Sequence, residues 1–127
     1  MIAYTMVGVK NLERSEQFYT PIFRELGFQI CWQDERSISY GIINDLEVPR
    51  YFIGYPFDKS DATMGNGVMT ALRCRDIEQV KILFGLALEK GGSCEGPPGL
   101  RPEYGDGFYA AYVRDPDSNK LAFVIYR

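Results

Sequence analysis

The sequence predicts an α+β domain in which a βαβββ module occurs twice in tandem. The main observation is an internal repeat: Met1 to Gly27 and Gly65 to Gly92 each contain an alternating apolar segment, a capped helix and a terminal glycine. Equivalent residues, such as Asn11 and Asp76, stand 65 positions apart. Strand-like segments follow both helices, so the periodicity changes from helical to alternating in the same order in both halves.

The modules are predicted at about residues 1–57 and 66–127. No low-complexity segment and no linker of the kind that separates domains lies between them. A chain of 127 residues, 46% of them apolar, is long enough to bury one hydrophobic core. We therefore predict a single domain over residues 1–127.

Each module is predicted to contain one amphipathic helix. Asn11 and Asp76 suit N-cap positions because a short side-chain oxygen accepts hydrogen bonds from the free amides of the first turn. Gly27 and the pair Gly91–Gly92 are predicted to end the helices, with Gly27 matching Gly92. Pro21 lies inside the first helix and removes a backbone hydrogen bond, so we expect that helix to be bent or irregular there.

Strands are predicted after each helix from short apolar segments that lie between turn signals. They cover residues 28–33, 37–43 and 51–53 in the first module, and residues 93–95, 108–114 and 120–126 in the second. Asp115 to Asn119 is predicted as a hairpin turn, because proline presets one dihedral and Asp and Asn side chains bond to their own backbone. Gly96 to Pro102 is predicted as the one extended loop of the second module.

The composition argues against several classes of partner. A net charge of −3 indicates no basic patch for phosphates, so we expect no nucleic acid and rather a cationic or neutral small molecule. No apolar run approaches the roughly 20 residues that cross a bilayer, so no membrane span is predicted. Three cysteines without metal-site spacing, and a start without a charged-then-apolar leader, predict a reduced, cytoplasmic protein.

Two motifs carry a family resemblance. The first helix region reads V-x-N-L-E-R-S-x-x-F-Y from Val9, and G-L-R-P-x-Y-G-x-x-F-Y-A-A-Y-V-R-D-P-D-x-N-K runs from Gly99 to Lys120. With the tandem modules, these motifs resemble the glyoxalase/bleomycin-resistance/extradiol-dioxygenase superfamily, also called vicinal oxygen chelate, although Ser118 stands where that family usually has glycine. The resemblance implies a half-open curved sheet around a cup-like cavity, often completed across a homodimer interface.

The resemblance also implies where a metal would bind. Metal-using members place histidine, glutamine or glutamate on the first and last strands of each module, because a divalent ion needs deprotonated nitrogen or oxygen ligands. The matching positions here are Tyr4, Met69 and Ala122, with Tyr51 as the expected fourth. The chain contains no histidine at all. We therefore predict that it binds no metal and no other cofactor.

A binding pocket for a small organic molecule is predicted instead from the aromatic residues that would line the cavity. Arg101 and Tyr104 are the expected rim contacts, since a guanidinium can hold a carboxylate and a phenol can stack or donate. The alternatives are that Arg101 pairs with Glu103 or Asp106 at the surface, and that Met69 only fills the core. The predicted ligand-binding residues are Tyr4, Trp32, Tyr51, Met69, Arg101, Tyr104, Tyr109 and Ala122.

The favoured function is a metal-independent small-molecule binding protein, similar to the bleomycin-resistance branch of the family and acting as a homodimer. Its ligand is not identified by any motif, and no catalytic residue is assigned. One alternative is a lyase, isomerase or dioxygenase of the same superfamily, with displaced metal ligands or with metal-free chemistry of Tyr4 and a carboxylate. Another is a domain that has lost both activities and acts through its dimer surface.

Overall fold

Two βαβββ modules follow one another along the chain, as the repeat predicts. The computed structural model describes residues 1–126, and the chain separates into two compact units, Met1–Met64 and Gly65–Arg127. The first unit contains β1 (Tyr4–Gly8), α1 (Leu12–Glu25), β2 (Gln29–Gln33), β3 (Ser37–Gly41) and β4 (Arg50–Gly54). The second contains β5 (Met69–Arg73), α2 (Ile77–Glu89), β6 (Ser93–Leu100), a short 3₁₀ turn (Pro102–Tyr104), β7 (Tyr109–Arg114) and β8 (Lys120–Ile125). The α+β class is confirmed.

Both helices begin at the predicted caps. The side chain of Asn11 accepts a hydrogen bond from the backbone amide of Arg14 at 3.0 Å. That of Asp76 accepts one from the backbone amide of Gln79 at 2.8 Å. Because these bonds satisfy amides that have no partner inside the helix, they fix where each helix starts. The first helix continues without interruption through Pro21, where we expected an irregularity.

The positions at which the two helices end differ in one detail from the predicted repeat. Gly27 follows α1 with a φ of 88°, and Gly91 follows α2 with a φ of 107°. In each case the next amide donates to the carbonyl five residues earlier, at 2.8 Å, which satisfies a carbonyl that the helix leaves free. The counterpart of Gly27 is therefore Gly91 and not Gly92, because α2 has 13 residues and α1 has 14.

Each unit has one four-stranded mixed sheet with its helix packed on one face. The strand orders are β1-β4-β3-β2 and β5-β8-β7-β6, with the first pair of each parallel and the others antiparallel. In the first unit, Phe23 of α1 stacks on Tyr40, with ring centroids 4.6 Å apart. In the second, α2 contacts β6, β7 and β8. Since side chains alternate along a strand, every second residue lies on the face opposite the helix, which we call the open face of each sheet.

β6 is longer than predicted. It continues to Leu100 through the residues that we expected to form a loop, with Gly99 opposite Ala110 and Leu100 opposite Tyr109. Pro97 and Pro98 led to the loop prediction, because a proline has no amide hydrogen and normally interrupts the hydrogen bonds of a sheet. β6 is an edge strand, however, and its register shifts twice, between Cys94 and Gly96 and again before Gly99, so the missing amides need no partner in the sheet.

The turn between β7 and β8 is confirmed in detail. One carboxylate oxygen of Asp115 accepts the amides of Asp117 and Asn119, both at 2.8 Å, and the other accepts the side-chain amide of Asn119 at 2.9 Å. Ser118 has a φ of 70°, in the left-handed region that favours glycine. Over residues 1–126, neither helix is long and apolar enough to cross a bilayer.

Candidate functional site

A cavity of about 710 Å³ lies on the open face of the second unit's sheet. Its wall combines aromatic and apolar side chains with two cations and two carboxylates. The lining residues are Met69, Glu95, Gly96, Arg101, Glu103, Tyr104, Phe108, Tyr112 and Lys120.

The register of the strands places these residues on one face. Met69 of β5 stands opposite Lys120 of β8, while Tyr112 of β7 stands between Ala122 of β8 and Gly96 of β6. Residues that oppose each other across a ladder share a face of the sheet. Two residues of the wall, Phe108 and Tyr112, pack against a small apolar cluster of the buried residues Ala110, Ala122 and Val124.

Arg101 is held against β6 by backbone carbonyls. Its Nη2 donates to the carbonyl of Pro97 at 2.7 Å and its Nη1 to that of Leu100 at 3.3 Å. A Cβ on Gly99 would come within 2.9 Å of Nη1, and one on Gly96 within 3.3 Å of Nη2, so the two glycines leave the space in which the guanidinium lies. Within residues 1–126 no carboxylate reaches it, so the surface pairing with Glu103 or Asp106 is not formed.

Tyr112 is flanked by both cations of the cavity. The guanidinium carbon of Arg101 lies 5.5 Å from the ring centre, and the ammonium of Lys120 lies 5.6 Å from it. Partial burial raises the pKa of the Tyr112 phenol, and the nearby Tyr104 and Glu103 add to the increase while Arg101 opposes it. The phenol therefore stays protonated at neutral pH and can donate a hydrogen bond.

The two carboxylates differ in their partners. Glu95 accepts a 2.7 Å hydrogen bond from Nε of Arg114, and this bond together with the charge of Arg114 lowers the pKa of Glu95. Glu103 lies in the exposed 3₁₀ turn, where no ion pair within 4 Å is formed with any residue of 1–126. The charge of Glu95 is thus compensated mainly by Arg114, with a smaller contribution from the charge of Lys120, while Lys120 itself forms no ion pair within 4 Å among the described residues.

The structure brings together only some of the predicted binding residues. Met69, Arg101 and Tyr104 line the cavity. Ala122 does not: it is fully buried in the cluster against which Phe108 and Tyr112 pack. Tyr109 lies on the opposite face of β7 from Tyr112, because the two residues are three positions apart and side chains alternate along a strand. Four further residues line the cavity but were not predicted from the sequence: Glu95, Phe108, Tyr112 and Lys120. One of them could have been predicted from strand alternation: Lys120 is two residues from Ala122 on the same strand, so the two side chains share a face.

The remaining predicted residues belong to the first unit. Tyr4 and Trp32 lie on the open face of its sheet, with 66% and 54% of their surface exposed. Tyr51 does not: it is buried on the helix face, where its hydroxyl donates to that of Tyr19 at 3.2 Å. Phe52 takes the expected place, because it pairs with Met6 as Ala122 pairs with Ala71. A slip of one residue in the alignment moves a side chain to the other face of the sheet.

The four positions that the resemblance assigns to metal ligands do not fit a divalent ion. They are occupied by Tyr4, Phe52, Met69 and Ala122. These side chains offer one phenol, one thioether and two groups without any donor, whereas divalent ions bind deprotonated nitrogen, oxygen or sulfur ligands. Within residues 1–126, no group of three or more His, Cys, Asp or Glu side chains is placed to hold a metal.

Comparison with known proteins places this geometry in a family. The model of the Glyoxalase/Bleomycin resistance protein/Dioxygenase superfamily matches residues 1–123. No curated protein matches the chain. Among solved structures, the chain is similar to a glyoxalase/bleomycin resistance protein from Albidiferax ferrireducens T118, with 31% identity, a TM-score of 0.88, and coverage of 100% of this chain and 99% of that chain.

Two more distant structures share the fold. A glyoxalase-related enzyme from Fulvimarina pelagi is 20% identical, with a TM-score of 0.76 and coverage of 99% of this chain and 88% of that one. A glyoxalase/bleomycin resistance protein/dioxygenase family enzyme from Burkholderia phytofirmans PsJN is 17% identical, with a TM-score of 0.74 and coverage of 96% and 95%. At these identities the similarity concerns the fold alone.

Proposed function

Because the chain belongs to the glyoxalase/bleomycin resistance protein/dioxygenase superfamily, we propose that it is a metal-independent small-molecule binding protein whose ligand occupies the cavity of the second unit. The observation that carries the proposal is the cavity itself: about 710 Å³ on the open face of the sheet, lined by three aromatic side chains and a methionine together with four charged side chains. Pockets for organic ligands are typically about 300–1,000 Å³ and combine apolar surface with placed polar groups.

The residues at the family's metal positions support the metal-independent part of the proposal. In the second unit, one of the positions that hold a metal in other members is occupied by Met69, whose thioether is part of the cavity wall and offers an apolar contact to a ligand. The other is occupied by Ala122, which is fully buried and has no side-chain atom that could bind a metal. Binding through shape, apolar area and a few hydrogen bonds then replaces coordination.

Elemental analysis tests metal independence and separates it from the enzymatic alternative. We expect untagged protein, incubated with manganese, iron, nickel or zinc and then desalted, to retain less than about a tenth of an equivalent of each metal, since no built set of ligands competes with water. One full equivalent would contradict the proposal and favour a lyase, isomerase or dioxygenase with displaced ligands.

Ligand screening tests the binding part. A library of small organic molecules is screened by thermal shift, and the compounds that stabilise the protein are mapped by amide chemical shifts. We expect the shifts to concentrate on β6, the Arg101–Phe108 segment and β8. Binding of every stabilising compound elsewhere on the chain would refute this cavity as the site.

We include a homodimer in the proposal. The open face of the first sheet exposes Tyr4, Met6 and Trp32 at 66%, 49% and 54%, and exposed apolar groups of this kind are common where subunits meet.

Light scattering should give twice the chain mass, and Trp32→Glu should shift the protein toward monomer. Leu46→Glu is the matched control, because Leu46 is 87% exposed but lies in a loop. A monomeric wild type at micromolar concentration would remove the dimer from the proposal.

The location belongs to the proposal as well. Cys31, Cys74 and Cys94 are free thiols, and unpaired cysteines are typical of reducing compartments. We therefore propose a cytoplasmic protein, which fractionation of the native host would test.

A further inference from the structure

We propose that the ligand of this cavity is an organic anion, with a carboxylate bound by Lys120 and Arg101 and an aromatic or apolar body lying against Phe108, Tyr104 and Met69. This inference rests on the proposed function, because it names the ligand class of the same cavity. It reverses the expectation drawn from net charge, which favoured a cationic or neutral ligand. The local arrangement of charges, rather than their sum over the chain, decides the class.

Lys120 is the first feature of the cavity that favours an anion. Its ammonium lines the cavity, and within residues 1–126 its close contact is the ring of Tyr112 at 5.6 Å. Of the two acidic residues in the same wall, Glu95 lies close enough for the charge of Lys120 to act on it, but it forms its ion pair with Arg114, at 2.7 Å. The ammonium of Lys120 is therefore left to bind an external anion.

The side chain of Arg101 is held in a fixed position by backbone carbonyls. Two of its five N–H groups donate to the carbonyls of Pro97 and Leu100, and the glycines at 96 and 99 make room for the guanidinium beside the strand. The remaining N–H groups keep their donor capacity. The side chain is therefore fixed in place before a ligand arrives, which reduces the entropy lost on binding.

The neutral part of the wall, formed by Tyr112, Tyr104 and Phe108, also suits such a ligand. The hydroxyl of Tyr112 has no hydrogen-bond partner within residues 1–126 and stays protonated, so it offers a further donor near both cations. Tyr104 packs edge-to-face on Phe108, with centroids 5.5 Å apart, and gives an aromatic surface beside the charged groups. Glu103 opposes an anion from the rim, but it lies in the exposed 3₁₀ turn, where water screens its charge.

The test uses three probes of the same shape: 2-naphthoate, 2-naphthamide and 2-naphthylmethylamine. Affinities are measured by calorimetry, and binding positions by amide chemical shifts. We expect the carboxylate to bind about tenfold more tightly than the amide. Lys120→Gln should remove most of this preference, because it weakens binding of the carboxylate far more than binding of the amide. Lys81→Gln, on the exposed surface of α2, removes the same charge away from the cavity and should change neither affinity.

The other outcomes separate this inference from the proposed function. If the amide or the amine binds in the cavity as tightly as the carboxylate, the anion inference is wrong while small-molecule binding stands. The same conclusion follows if Lys120→Gln keeps the preference for the carboxylate. If none of the probes shifts the amides of the cavity and the library yields no ligand there, both are wrong.

Discussion

The ammonium of Lys120 lies 5.6 Å from the centre of the Tyr112 ring, on the face of the second sheet that carries the cavity. The ring lies beside a second cation, because the guanidinium of Arg101 is 5.5 Å from the same centre. One aromatic side chain thus helps to position both positive charges. Removal of the Tyr112 ring should therefore weaken ligand binding through its effect on both cations.

We predict that Tyr112→Leu weakens binding of 2-naphthoate by about fivefold to tenfold, since it removes an aromatic contact and the surface on which the two cations rest. Tyr109→Leu is the matched control, because the same change on the same strand then lies on the helix face. Calorimetry on the two folded variants measures the difference. Equal losses in both would show that the faces of β7 are wrongly assigned.

Particular residues show how far the sequence determines this fold and site. The caps Asn11 and Asp76 and the turn at Asp115 were predictable, because each depends on hydrogen bonds between neighbours in the chain. The pairing of β6 beyond Gly96 was not, since it depends on β6 being an edge strand, a property that only the assembled sheet has.

The site was predictable only in part for a similar reason. Arg101 and Tyr104 follow from a motif, whereas the choice of Tyr112 over Tyr109, or of Phe52 over Tyr51, depends on which alternate residues of a strand meet the helix. An alignment error of one position exchanges the two faces. The ion pair between Glu95 and Arg114 connects two different strands. The two residues are 19 positions apart in the sequence, so no local pattern predicts their contact.

Asp115 should contribute strongly to stability. It is 3% exposed, and its carboxylate accepts two backbone amides and the side-chain amide of Asn119. We predict that Asp115→Ala lowers the free energy of unfolding by about 2–4 kcal/mol, because buried donors lose a charged acceptor. Asp58→Ala removes a similar bond, to the amide of Ser60, at the exposed surface and should cost less than about 1 kcal/mol. Urea denaturation distinguishes the two, and a loss below 1 kcal/mol in both would contradict the role given to Asp115.

Ser118 offers a stabilising substitution. Its φ of 70° places a residue with a Cβ in the left-handed region, which is unfavourable for any residue but glycine. We predict that Ser118→Gly raises the free energy of unfolding by about 0.5–1 kcal/mol, after the greater flexibility of glycine in the unfolded chain is subtracted. Ser60→Gly, at an exposed loop residue without a positive φ, should be neutral or destabilising. A decrease in thermal stability for Ser118→Gly would mean that the Ser118 side chain makes a contact worth more than the backbone strain.

Cys74 should make stability depend on alkaline pH. Burial raises the pKa of its thiol to about 11 from 9.0, with Asp76 adding to the rise and a hydrogen bond with the Val124 backbone and the charge of Arg75 opposing it. The folded chain therefore holds the thiol proton more tightly than the unfolded chain. The resulting stabilisation is fully present below about pH 9 and is lost as pH rises toward about 11. The difference in unfolding free energy between wild type and Cys74→Ala should accordingly shrink over this range. Tyr40, whose pKa burial raises to about 12, titrates in wild type and variant alike and cancels from the difference. A constant difference for Cys74→Ala would show that its thiol is already hydrated in the folded state.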